Sequence, residues 1–304
     1  MLTPSEYLIF EKERLPYLSA FLTICMVWGL SLVVAYDLLD TGIPPIFLIA
    51  VTYGLGAVTL IPAKFAFRSV PKISRDEWRY GALVGAIIFL AFGLQTVGLL
   101  YTTPAKSGLL TVLYVLFVPI IIALIQKKIS WLSVLFALIG FMGVLIMSGI
   151  TGGDASMNIG DVLTIICAVM FAMQFVALEK YSPRLNAVNF TLVQMITAAA
   201  IGIAVSLVFE NGQYNNMGLI GSWLGLVFMG FIVTGLGFYV QTAAQKKIPS
   251  TTIAIMCCTE SVFAVIFSWA LGYDIITIPL FVGAVLIVAS TVLSSIYERR
   301  TLIS

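Results

Sequence analysis

Between residues 17 and 297 the chain is a succession of ten apolar runs, each about the length of a membrane-spanning helix. They cover approximately 17–36, 44–66, 80–101, 104–125, 131–150, 159–179, 188–209, 218–244, 250–271 and 276–297. In hydrocarbon every backbone amide must find its partner inside its own segment, so runs of this length can fold only as helices. The breaks carry Pro44-Pro45, Pro71, Pro104, Gly152-Gly153, Pro183 and Pro249, which are turn and breaker residues. Segment eight is the loosest, with Gly218, Gly221, Gly225, Gly230, Gly235 and Gly237 in it. The connections are short and leave no room for a soluble domain.

Composition agrees. Only 10% of the 304 residues are charged, 61% are hydrophobic, and there is no His; soluble domains carry about 25% charged residues. The net charge of +2 points to no nucleic-acid partner. Cys25, Cys167, Cys257 and Cys258 all fall in apolar runs, where thiols pack as small hydrophobes rather than as disulfides or metal ligands. Glu6, Glu11 and Glu13 beside Lys12 and Arg14 suit a first spanning helix better than a cleaved signal peptide.

Basic residues set the expected orientation. With the N-terminus inside, the inner side receives Lys12, Arg14, Lys64, Arg68, Lys72, Arg75, Arg79, Lys127, Lys128, Lys180, Arg184, Lys246, Lys247, Arg299 and Arg300. The outer side receives Lys106 alone, a strong positive-inside bias. The fold expected is an all-α integral membrane protein of ten transmembrane helices, both termini cytoplasmic. Divided at the Gly149–Gly160 loop it gives five helices and five. Five is odd, so two copies of one unit lie inverted across the membrane, 17–150 and 157–297. At an offset of 146 residues Phe92, Gln95, Thr96 and Phe117 match Phe238, Gln241, Thr242 and Phe263. That is the pattern of an inverted-repeat transporter working by alternating access, with its site near the midplane.

The stretch 250–274 holds one formal charge before Asp274, Glu260, near the middle of an uncharged run. An intramembrane carboxylate costs about 2.5–3.5 kcal/mol on insertion scales and is a functional candidate by default. On a helical period it shares a face with Ile253, Met256, Cys257, Phe263, Ala264 and Phe267. It can exchange a proton or pair with a substrate amine; the bland alternative is an interhelical hydrogen bond that holds helix nine.

The chain resembles the EamA family of the drug/metabolite transporter superfamily, as two consecutive units. The resemblance rests on Trp28-Gly29 and FGLQTVGLLYTTPAKSGLLTVLYVLFVP (92–119) in the first unit. In the second it rests on Gly160-Asp161, Phe171-Ala172, YVQTAAQKKIPSTTIAIMCCTESVFAVIF (239–267), Gly272 and Asp274. The chain departs from the family at Ser261 (usually Pro), Asp274 (usually Glu), Lys127 (usually Glu) and Tyr53, whose segment lacks a basic residue common there. The resemblance implies a ten-helix bundle with a central cavity that moves a small metabolite or amino acid, commonly outward, with no cofactor. It also implies a prokaryotic inner (plasma) membrane.

Other candidates are polar or aromatic residues in the runs. Gln95 and Gln241 stand at equivalent places, each followed by Thr, and can replace substrate hydration or glue helices. Gln174 and Gln194 are lesser candidates. Trp28 lies mid-helix, away from the interfacial belt, and Tyr114 falls opposite Glu260 in the repeat; either can line a cavity or simply pack. Asp161 reads as a helix-six cap, as does Asp274 for helix ten. Pro119 is a kink in helix four. Gly81-x-x-x-Gly85 and Gly221-x-x-x-Gly225 read as close internal packing.

The function expected is secondary transport of a small organic solute, outward, of amino acids or related metabolites, with proton coupling through Glu260. Uptake or exchange is the alternative, since topology does not separate them. A lipid-modifying enzyme needs clustered acids, His or a nucleophile near the interface, and this chain has no His and no Asp/Glu cluster facing a common depth. A receptor needs surface that the short loops do not offer. No GxxxxGK[ST] motif is present. The partners expected are the solute, protons and the bilayer; oligomeric state is not readable.

Overall fold

The computed structural model describes residues 4–66, 70–101, 107, 110–127, 130–147, 158–214, 219–270 and 278–301. Pro104, Lys106, Gly218, Gly272, Asp274 and most of the 149–160 connection lie outside the described residues. Everything regular that is described is helix. The helices are α1 (Pro4–Asp40), α2 (Pro45–Ala66), α3 (Arg75–Gly98), α4 (Tyr114–Gln126), α5 (Trp131–Met147), α6 (Ile159–Tyr181) and α7 (Ala187–Phe209). They continue with α8 (Leu219–Val227), a π-helical stretch (Phe228–Leu236) and α9 (Gly237–Ala244), which follow one another without a gap. Then come α10 (Ser250–Cys257), α11 (Thr259–Ala270) and α12 (Ile278–Thr301). Among the described residues, six segments are long and apolar enough to cross a membrane, and shorter apolar helices accompany them.

Local chemistry sets the starts. Ser74 accepts from the Glu77 amide at 3.2 Å while Glu77 accepts from the Ser74 amide at 2.6 Å. This capping box starts α3 at Arg75, several residues before the apolar run that marks it in the sequence. Asn158 and Asp161 form the same box on α6, so Asp161 caps as expected, from the third helical position. Asn186 accepts from the Val188 and Asn189 amides to open α7. α1 begins at Pro4, well ahead of the apolar run, because Glu, Lys and Arg are good helix formers. Pro119 lies within α4.

The helices pack as two groups. α2, α3, α7 and the α8–π–α9 rod form one; α4, α5, α10, α11 and α12 form the other. α1 and α6 run between them: α1 packs on α11 and α9, and α6 on α3 and α4. Exchanging each helix for its counterpart about 146 residues away reproduces this pairing. Each group therefore draws on both halves of the chain.

Glycines allow the closest approaches. A Cβ on Gly81 would stand 2.7 Å from Val193, and one on Gly85 would stand 2.5 Å from the Gln194 carbonyl oxygen. The Gly81-x-x-x-Gly85 spacing thus serves the α3–α7 contact inside the bundle. Large apolar side chains such as Leu207, Phe209, Trp131 and Ile278 point outward, as a lipid-facing surface requires.

Candidate functional site

The six candidate residues form three pairs at the 146-residue offset: Trp28 with Gln174, Gln95 with Gln241, and Tyr114 with Glu260. Each pair occupies one place in the two halves. Only the glutamines are alike, so the halves share a scaffold and differ in chemistry.

The last pair marks the main local irregularity. The sequence reads 250–271 as one helix, and the backbone does stay helical from Ser250 to Ala270, tightening at Cys258 (φ −60°, ψ −23°) between α10 and α11. The Cys258 amide donates to the Ile255 oxygen, three residues back, at 3.1 Å, a tightened 3₁₀-type turn. Thr259 Oγ1 donates to the Met256 oxygen at 2.6 Å and competes with the backbone ladder there. The first half repeats the feature: Leu113 donates to the Leu110 oxygen at 3.2 Å and Val115 to the Val112 oxygen at 2.9 Å, just before and within the start of α4. Tyr114 is the first residue of α4, and Glu260 lies in the first turn of α11, where a carboxylate complements the helix dipole.

Aromatic rings link these residues. Tyr114 packs edge-on against Phe175 at 5.2 Å between centroids and against Phe171 at 6.3 Å. Phe171 meets Phe92 at 4.9 Å, and Phe92 meets Tyr53 at 5.8 Å and Phe238 at 5.9 Å. Trp28 closes the row against Phe238 at 5.7 Å and Phe21 at 5.8 Å. Met256, Cys257 and Cys258, just ahead of Glu260, lie in the same packed cluster as Tyr114, Phe171 and Phe175. Glu260 itself is half-buried and within electrostatic reach of Tyr114.

The amides fare differently. Gln174 and Gln241, both buried, exchange hydrogen bonds at 3.2 and 3.3 Å, joining α6 to α9. Gln95 donates to Thr111 Oγ1 at 2.9 Å, and Thr111 donates to the Ser107 oxygen at 2.8 Å. Gln194 is fully buried and its amide finds no partner among the described residues. The indole N–H of Trp28 donates to the Val233 carbonyl, at 3.1 Å, in the π-helical stretch. A π-helix is rare and often accompanies a functional site. Replacing Trp28 by Phe should remove that bond at about 1 kcal/mol; Trp28→Ala, which also removes the ring contacts, should cost about 3–5 kcal/mol. Thermal unfolding of the two variants in detergent measures the difference, and equal losses would mean the ring packing carries nothing.

Several site residues were not singled out from the sequence. The Tyr53 hydroxyl and Thr242 Oγ1 are buried and find no hydrogen-bond partner among the described residues. Phe92 and Phe238 were visible as a repeat match, but their meeting at the centre was not. Three carboxylates cap helices of a neighbouring element. Glu77 also accepts from the Asn186 amide at the head of α7 at 3.0 Å and from Asn189 Nδ2 at 3.3 Å. Glu210 accepts from the Ile46 and Phe47 amides of α2 at 2.7 and 2.8 Å and from Ser206 Oγ at 2.6 Å. Glu179 accepts from the amide and hydroxyl of Ser250 at the head of α10. At the same end Lys64 donates to Asn189 Oδ1 at 3.0 Å and Lys246 to the Leu185 oxygen at 2.8 Å. Burial and the nearby Lys247 hold the Lys246 ammonium below its usual range, with Glu77 acting the other way. Among the described residues no group of three or more Cys, Asp or Glu is placed to hold a metal ion.

A two-group helical bundle with polar residues buried among its apolar helices has the build of a membrane transporter. Residues 15–149 and 158–296 each match the EamA-like transporter family, and the chain belongs to that family. It is 30% identical over 277 residues to an uncharacterized transporter of Archaeoglobus fulgidus, covering 90% of this chain and 83% of that one. The uncharacterized transporter YoaV of Bacillus subtilis is 21% identical over 284 residues, covering 92% of this chain and 97% of its own. A solved crystal structure superposes with a TM-score of 0.79 at 22% identity, over 95% of this chain and 99% of that one, which places the fold.

Proposed function

We propose that this protein is a secondary transporter of ten spanning helices, built as two inverted five-helix units (17–150 and 157–297) with both termini cytoplasmic. It moves small organic solutes, amino acids or related metabolites, outward across a prokaryotic plasma membrane by alternating access. The substrate path passes Glu260, Gln95, Gln241, Trp28, Tyr114 and Gln174, and Glu260 exchanges the coupling proton.

The observation that carries this reading is the matched pair of tightened helical turns, with Tyr114 just behind one and Glu260 just behind the other. Inverted-repeat transporters place their binding groups near the midplane at the interface of the two repeats. The exchange symmetry of the packing supports the inverted units. The two helix groups, bridged by α1 and α6, supply the bodies that rock against each other.

Proton flux and radiolabelled amino-acid flux in proteoliposomes test the reading. The native protein should carry solute faster down an imposed pH gradient, and Glu260→Gln should lose that response while unfolding at the same temperature. Equal flux from both proteins would make the carboxylate structural and the protein a facilitator. No flux of any solute in a broad metabolite panel would defeat the transport reading itself.

A further inference from the structure

We propose that the end of α6 and the turn between α9 and α10 form a latch, with Glu179 gripping Ser250, that closes the bundle on its inner side and makes the inner-closed arrangement its resting state. This rests on the transporter reading and on the inner placement of that turn.

The turn, 245–249, is where the chain passes from the first helix group to the second. Bonds from both sides of it converge on the end of α6. From the α9 side Gln245 Nε2 donates to the Phe175 oxygen and Lys246 Nζ to the Leu185 oxygen, each at 2.8 Å. From the α10 side the Ser250 amide donates to Glu179 at 2.7 Å, and the Ser250 hydroxyl donates to the same carboxylate oxygen. Ile248, 1% exposed, seats the turn in the same packed cluster as Phe175. α3 reaches this end through Tyr80, stacked on Tyr181 at 4.1 Å. When the two groups part on this side, α6 cannot keep its bonds to both.

The outer end has no copy of this latch. At the 146-residue offset Glu179 corresponds to Val33, which has no side-chain acceptor, and Ser250 to Pro104, which has neither hydroxyl nor amide N–H. Gln245 and Lys246 correspond to Leu99 and Leu100, and Leu100 is 60% exposed. Among the described residues, the segment before α4 is tied by neutral groups: Gln95 to Thr111 at 2.9 Å, and the Ser107 and Thr164 hydroxyls at 3.4 Å. Hydrogen bonds to a carboxylate are roughly twice as strong as neutral ones. Alternating access rocks one group against the other, so a charged tie on one side alone biases the equilibrium toward closure there.

Ser250→Pro, which copies Pro104, tests this. Pro249 is extended, with ψ 153°, as a residue before proline must be, and Ser250 opens α10, where proline is tolerated. The reporter is Thr242→Cys, buried one turn deeper than Gln245, in the full-length protein in sealed membrane vesicles. A membrane-impermeant maleimide is applied to the inner side. Thr96→Cys, the counterpart of that reporter in the first half, is labelled from the outer side. The parent protein, whose four native cysteines are all buried, sets the background. Ser250→Pro should speed inner labelling roughly tenfold or more and leave outer labelling unchanged or slower. Ser250→Ala, which keeps the amide bond, should fall between. If Ser250→Pro loses its fold, Glu179→Val, which copies Val33, should give the same shift. Unchanged inner labelling, or equal acceleration of both reporters through general loosening, would overturn the latch. Flux of a metabolite panel separates the two readings. Solute flux with unchanged labelling leaves a transporter and refutes the latch. Shifted labelling with no flux of any solute keeps the latch and refutes transport.

Discussion

Glu77→Ala is expected to lower stability by about 4 kcal/mol, with most of the loss at the junction of α3 and α7. Glu77 is 3% exposed and accepts three hydrogen bonds: from the Ser74 amide at 2.6 Å, the Asn186 amide at 3.0 Å and Asn189 Nδ2 at 3.3 Å. Bonds to a charged acceptor are worth about 1.5–3 kcal/mol each, and water reaching the end of the bundle returns part of that. Its loss also frees Asn189, which joins Lys64 of α2 and the Pro71 oxygen to this point. Glu77→Gln should retain about half the stabilisation, since one oxygen remains to accept while the amide nitrogen meets a donor. Glu210→Ala should behave alike at the head of α2. Unfolding in detergent, followed by temperature, measures all three. A loss below about 1 kcal/mol in both alanine variants would mean that water replaces the carboxylates at no cost.

Gly85→Val should force apart two packed helices inside the bundle. A Cβ there would lie 2.5 Å from the Gln194 carbonyl oxygen, 3.0 Å from its Cα and 2.9 Å from the Thr197 Cβ. Two of these are backbone atoms and cannot rotate away, so α3 and α7 must move apart along a packed seam. Overpacking of this kind costs about 1–3 kcal/mol and occasionally more. Gly54 is the control: nothing lies within 4 Å of its added Cβ. Gly54→Ala should be neutral or stabilising by up to about 1 kcal/mol through helix propensity alone. Similar unfolding temperatures for Gly85→Val and Gly54→Ala would show that α3 and α7 do not pack as closely as described.

Much of the fold is legible because it depends on what neighbours in sequence do. Apolar runs must be helices in lipid, so the runs 44–66, 159–179 and 188–209 locate α2, α6 and α7 to within a residue or two. Asp161 reads as a cap because its partner Asn158 is three residues away. The two repeats are legible because both copies lie in one chain, and the family match covers both.

The site was legible as a set of residues and not as an arrangement. Gln95 and Gln241 look equivalent, yet one binds Thr111 and the other Gln174. Glu210 and the second role of Glu77 are not legible, because the α2 and α7 amides they cap are more than a hundred residues away. The tightening at Cys258 has neither Pro nor Gly to announce it.

By itself the sequence determined the helices, the repeated unit and the lone mid-run carboxylate, since apolar length and charge are properties of single segments. Only the tertiary structure decided which helices group together, that the chain tightens at matched places before Tyr114 and before Glu260, and which rings stand near Glu260. Those depend on close approach between distant segments, where a missing Cβ or a single buried acceptor selects one packing among many of similar hydrophobicity.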